Sequence, residues 1–122
     1  MEILVLEDNL DRIRFFIEIL GKYKLSVVDK AEEAVELLES KVFDMIFLDN
    51  DLGDGGYGAD VAAYLANNPS NLNNDANIVV HCLDEQARIA MLKELTPNCP
   101  KTIGVYFGES LFHYLGLTND EE

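Results

Sequence analysis

The sequence predicts an α/β fold, a single doubly wound sheet of five parallel strands in the order 2-1-3-4-5. Three observations predict it. Short apolar runs alternate along the chain with segments of helical periodicity. The runs are apolar at consecutive positions rather than at every second one, the pattern of strands covered on both faces. The third run, Met45-Ile46-Phe47-Leu48, stops abruptly at Asp49 and Asp51 and enters a glycine-rich loop. Open sheets of this kind gather their ligands at the carboxyl ends of the strands, so acids there point to a site.

The elements follow in order. Glu2–Leu6 is the first strand and ends at Glu7-Asp8-Asn9. Leu10, Ile13, Ile17 and Leu20 then form one stripe of a helix, with Phe16 beside it, and Gly21 is placed as a left-handed cap. Leu25–Val28 is the second strand. Asp29 with Glu32 resembles a capping box, opening a helix whose inner face is Ala31, Ala34, Val35 and Leu38. The central strand is Phe43–Leu48, and a third helix runs from Gly58 to Asn67 with Val61, Ala62 and Leu65 inward, ended by Asn67-Asn68-Pro69. Ser70–Asn77 is polar and turn-rich, which predicts an exposed loop. Ile78–Cys82 is the fourth strand, Asp84 caps a helix through Ile89, Leu92 and Leu95, Thr102–Phe107 is the fifth strand, and Ser110–Leu115 is a short last helix. The expected division is one domain over residues 1–117 and an acidic tail over 118–122, frayed from Thr118 onward.

Composition narrows the function. The 122 residues carry a formal net charge of −14, from 9 Lys and Arg against 23 Asp and Glu. Such a surface repels phosphate backbones, so sequence-specific DNA binding is not expected. No apolar run approaches membrane-spanning length, and the chain opens directly on a strand-like EILVLE. The two cysteines, Cys82 and Cys99, have no metal-binding spacing. A cytoplasmic setting without disulfides is expected.

The predicted strand order brings Glu7 and Asp8 beside Asp49 and Asp51. Two like charges about 4 Å apart repel by roughly 4 kcal/mol at an effective dielectric near 20. Protonation, splaying into solvent, or a bound cation must relieve that repulsion. Oxygen ligands in a shallow, wet crevice suit Mg²⁺, so Glu7, Asp8, Asp49 and Asp51 are the candidate metal ligands. A calcium loop over DNDLGDGGYGAD fails, because its sixth position needs glycine and holds Asp54. His81 is the candidate general acid or base beside Asp49, set against the alternative of a buried imidazole bonded to a backbone carbonyl. Strand alternation puts His81 and Cys82 on opposite faces. Cys82 reads as a small core residue, since surrounding acids oppose a thiolate. Gly55, Gly56 and Gly58 would either let backbone N–H groups approach a phosphate or simply make a tight turn.

Glu7-Asp8 after the first strand and Asp49 after the third resemble the receiver domains of two-component response regulators, with the flavodoxin-like topology of that superfamily. ILVLEDN, FDMIFLD and the spacing of strands and helices carry the resemblance over nearly the whole chain. It implies that Glu7, Asp8 and Asp49 bind Mg²⁺ and that Asp49 accepts a phosphoryl group from a histidine kinase. The second half departs from the receiver pattern. Cys82 holds the place of a Ser or Thr after strand four, and TIGVYFGES lacks the lysine that ends strand five in receivers. Lys101 precedes that strand, at the wrong end. LDNDLG and VVHCLDEQARIAML are more similar to the cyclic-phosphate-processing receivers, which implies a phosphate-bearing small molecule or cyclic phosphate end as ligand, with Asp49, Asp51 and His81 in the site.

Overall fold

The computed structural model describes residues 1–68 and 71–116. Pro69, Ser70 and the expected tail Thr118–Glu122 lie outside the described residues. Five parallel strands, β1 (Glu2–Leu6), β2 (Lys24–Val28), β3 (Met45–Leu48), β4 (Asn77–Val80) and β5 (Thr102–Gly104), form one sheet in the order β2-β1-β3-β4-β5. The order is the one the sequence predicts. The register pairs Leu6 with Leu48 and Leu48 with Val80, so β1, β3 and β4 end level with one another.

Five helices cover the two faces. α1 (Leu10–Leu20) and α5 (Glu109–Tyr114) pack on one, over Ile3, Val5, Phe47 and Val79. α2 (Ala31–Ser40), α3 (Gly58–Ala66) and α4 (Glu85–Leu95) pack on the other, over Leu4, Leu6, Ile46, Leu48, Ile78 and Val80. Successive strand residues therefore feed opposite layers, and both layers are apolar, which is why the strands read as continuous hydrophobic runs.

Helix phases differ from expectation in two places. In α1, Leu10 and Ile17 are exposed at 70% and 51%, while Phe16 and Leu20 are buried. The inward line is Arg12, Phe16 and Leu20, one helical turn apart. Aromatic mass decides it: Phe16 packs at 5.1 Å on Phe47, and Phe15 at 5.2 Å on Phe107 and 5.0 Å on Phe112. These rings remove more apolar surface from water than an aliphatic stripe could. In α4, Met91 and Leu95 are buried and Ile89 is outward.

Three local expectations are also corrected. Gly21 closes α1 in the right-handed region (φ −64°), donating its N–H to Ile17. Asp29 makes no capping box; the residue before α2 is Lys30, which supplies no side-chain cap. The loop before β4 is not simply exposed, because Asn73 is buried within it. Its Nδ2 donates to the carbonyls of Leu38 and Lys41, at 3.1 and 2.9 Å, and its Oδ1 accepts the Phe43 N–H at 2.7 Å. One side chain thus ties the end of α2 to the start of β3. Asn73→Asp keeps the shape but removes both donors, and we expect a loss of about 2–4 kcal/mol in urea unfolding; a loss below ~1 kcal/mol would show that the tie is dispensable.

Candidate functional site

Glu7, Asp49 and His81 are each the residue immediately after a strand, on the three neighbouring strands β1, β3 and β4. The sheet hydrogen bonds continue through them: Glu7 N–H donates to Val28, Asp49 N–H to Leu6, and His81 N–H to Leu48. Alternation turns all three side chains to the α1 face. They form a row in which one ligand-type atom from each lies within 4.8 Å of the others.

Arg12 closes this row from above. Asn9 caps α1, its side chain accepting the Arg12 N–H at 3.0 Å, and this fixes Arg12 as the third residue of the first turn. Its Nε donates to Glu7 Oε1 at 2.9 Å and its Nη2 to Glu7 Oε2 at 3.1 Å. The same Nη2 stands 3.6 Å from Asp49 Oδ2. Glu7 Oε2 also accepts the N–H groups of Asp8 and Asn9, both at 3.1 Å. Glu7 is wholly buried, and its oxygens are occupied by this shell.

Electrostatics follow from that geometry. Burial pushes the Glu7 carboxyl up, but the Arg12 hydrogen bond leads a set of favourable contacts that hold it below the usual range. Asp49 goes the other way. Burial and the neighbouring Glu7 charge push it up to about 7, against its bond from the Asn50 amide and the Arg12 charge. His81 is pushed down to about 4, chiefly by burial. Its Nδ1 is 3.7 Å from Glu7 Oε1, neither ring nitrogen has a hydrogen-bond partner among the described residues, and Phe16 and Phe47 flank it with ring centroids at 5.2 and 6.4 Å.

In front of the row lies an open cleft of about 990 Å³ whose lining includes Asp8, Arg12, Asp49, Asp51 and Cys82. His81 is not among its lining residues, so it stands behind the carboxylates. Asp51 is at the rim, its Oδ1 accepting the Gly53 N–H at 3.0 Å. Cys82 faces the cleft as a thiol pushed up to about 11 by burial and by Asp49, which makes it a poor nucleophile. The loop glycines have packing reasons. A Cβ on Gly58 would run into the Asp49 carbonyl and one on Gly55 into the Asp29 carbonyl, while Gly53 and Gly56 adopt positive φ of 60° and 91°. The loop therefore presses directly on the backbone that carries Asp49.

A sequence profile described as the cyclic-phosphate processing receiver domain matches residues 3–97. The chain belongs to that family. Among curated proteins, none matches it. In fold it is similar to solved response regulators. One, from Burkholderia pseudomallei with a phosphorylated aspartic acid, calcium ion and citrate, is 21% identical with a TM-score of 0.70, over 98% of this chain and 67% of that one. Another, TrrA from Thermotoga maritima in complex with Mg²⁺ and BeF, is 21% identical with a TM-score of 0.68, over 95% and 97% of the two chains. A third, from Clostridium difficile, is 18% identical with a TM-score of 0.71, over 95% and 90%.

No lysine ends the fifth strand of this receiver domain. Lys101 sits before β5 and pairs with Asp75 at 3.2 Å, away from the acids. Beyond β5 stands Phe107, and the Arg12 guanidinium lies 5.7 Å from its ring centre. The fixed cation comes from α1. Sequence reasoning passed over Arg12, although a signal was present. A cation in the first turn of a helix opposes the helix dipole, and here it also occupies the inward line of Phe16 and Leu20. Such a residue is placed for something other than helix stability. Among the described residues, no helix is long and apolar enough to cross a membrane.

The opposed shifts of Asp49 and His81 predict a pH signature. Asp49 is raised in the fold, so its contribution is full below the unfolded value and is lost as pH rises through about 7. His81 is lowered, so folding gains stability as pH rises from about 4 through its unfolded value. The two trends offset each other in the parent between pH 4 and 6.5. Relative to the parent, Asp49→Asn should gain stability with rising pH across that range and His81→Phe should lose it, and parallel profiles for all three in chemical denaturation would refute the assignment.

Proposed function

We propose that this domain binds a divalent cation of the Mg²⁺ class at the carboxyl edge of its sheet and uses it to hold a phosphate-bearing ligand, in keeping with the cyclic-phosphate processing that its family's name describes. One observation carries the reading: buried Asp49 stands within 4.8 Å of the Glu7 carboxylate at the edge of an open cleft, and burial together with the Glu7 charge raises its carboxyl to about 7. The donor chemistry supports such a cation: Asp8, Asp49 and Asp51 all line the open cleft, and hard oxygen donors in a hydrated setting suit Mg²⁺. Asp8 and Asp49 would be the direct holders, with Asp51 at the rim and Glu7 behind them, engaged by Arg12. When bound, such a cation neutralises the acids and polarises a phosphate oxygen.

The chain's own groups divide the remaining work. The apolar layer of Phe16, Phe47 and Phe107 keeps water from the back of the row. His81 is neutral at physiological pH and does not line the cleft, so it would act behind the carboxylates as a packing neighbour of Glu7 rather than as an acid or base on the ligand. The second reading, a receiver whose Asp49 accepts a phosphoryl group from a histidine kinase, is favoured by the position of Asp49 at the end of β3 and by the phosphorylated aspartate of the Burkholderia protein.

One experiment separates the two. Incubate the protein with Mg²⁺ and a small phosphodonor, measure intact mass, and in parallel assay turnover of 2′,3′-cyclic nucleotides. Turnover that disappears in Asp49→Asn, with no change of mass, supports phosphate processing. A labile phosphoryl adduct without turnover replaces it with the phosphoacceptor reading, and no divalent binding at millimolar concentration ends both.

A further inference from the structure

We propose that Arg12 is the phosphate-binding side chain of the cleft, a guanidinium supplied by the first turn of α1 and held ready by Glu7. The assignment rests on the reading of the cleft as a site for a phosphate-bearing ligand, and it adds which side chain recognises the phosphate. Three observations support it.

The first is how few fixed cations the cleft has. Among the described residues its lining carries Asp8, Asp11, Asp49, Asp51 and Asp84 but only two basic residues, Arg12 and Arg14. The Arg14 side chain is 79% exposed and leans on Asp11 at 3.7 Å, a surface pair with little hold on its geometry. The Arg12 side chain is 23% exposed and tied at two points to a buried carboxylate. In a chain of net charge −14, an anionic ligand needs a local positive group, and Arg12 is the one held in place.

The second is donor accounting. Of the five N–H groups of a guanidinium, Nε–H and one on Nη2 are given to Glu7. Nη1 has no hydrogen-bond partner among the described residues, although Arg12 lines the cleft. A fork anchored on one edge and unpaired on another suits an oxyanion, because the anchoring removes the rotamer entropy that binding would otherwise cost.

The third is the shell behind it. Phe107, beyond β5, has its ring centre 5.7 Å from the guanidinium and so supports the fork by a cation–π contact. Glu7, its oxygens bonded to Arg12 and to the Asp8 and Asn9 amides, then serves as the positioning residue for Arg12.

Calorimetry with two probes tests this: Mg²⁺ alone, then inorganic phosphate in the presence of Mg²⁺. The proteins are the parent, Arg12→Met, and Arg12→Met with Glu7→Gln, the last leaving no unpaired Glu7 charge should the single variant fail to fold. We expect phosphate affinity to fall by about tenfold or more in the variants while Mg²⁺ affinity stays within about threefold. In ¹⁵N-labelled parent protein, the Arg12 side-chain resonances should shift on adding phosphate. Variants that bind phosphate as the parent does, or that lose Mg²⁺ and phosphate together, overturn the assignment and leave the cation site standing. A parent that binds no phosphate with Mg²⁺ present overturns the ligand reading, and the role of Arg12 falls with it.

Discussion

Arg12→Ala is expected to lower the unfolding free energy by about 3–5 kcal/mol in urea or guanidinium titrations, the usual cost of leaving one member of a buried ion pair without its partner. Glu7 has no exposure to solvent, and Arg12 reaches both of its carboxylate oxygens, at 2.9 and 3.1 Å. Without the guanidinium, Glu7 keeps only the Asp8 and Asn9 amides and faces Asp49 unshielded. Its carboxyl should then rise sharply, and the loss should be larger at pH 8 than at pH 5. Combining Arg12→Ala with Glu7→Gln should restore most of the loss, since the buried charge is gone. A loss below ~1 kcal/mol, or no recovery in the double variant, would show that the pair does not hold this edge of the sheet together.

Asp49→Asn should have the opposite effect on the cation-free protein. The amide keeps an oxygen for the Asn50 N–H and turns a repelling carboxylate into a donor facing Glu7. A gain of about 1–3 kcal/mol is expected above pH 7, where the parent must ionise Asp49 against its neighbour. The cost appears when Mg²⁺ is added. A cation at about one hundred times its dissociation constant stabilises the parent by about 2.7 kcal/mol, and removing it with a chelator should reverse that shift. Asp49→Asn should show little of it. Equal Mg²⁺-dependent shifts in both proteins would place the cation elsewhere.

The fold was legible because its physics is local and repetitive. Strands covered on both faces cannot alternate, and Ile3-Leu4-Val5-Leu6 and Met45-Ile46-Phe47-Leu48 show it without ambiguity. The strand order is one common to doubly wound sheets, and from it follows the meeting of Glu7 and Asp49, which the level ends of β1, β3 and β4 bring together. What remained hidden depends on rotation and distance. The phase of α1 is set by Phe15 and Phe16 meeting Phe47, Phe107 and Phe112, partners far away in sequence. Asn73 looks like any loop asparagine until α2 and β3 are placed around it. The need for glycine at Gly55 and Gly58 is likewise invisible before the Asp29 and Asp49 carbonyls arrive beside them.

The row at the sheet edge also bears on how the molecule is made. Its three members belong to β1, β3 and β4, so a nascent chain cannot complete it until β4 has left the ribosome and docked. The buried row is thus among the last features of the sheet to be completed, since its members meet only once β4 has paired with β3.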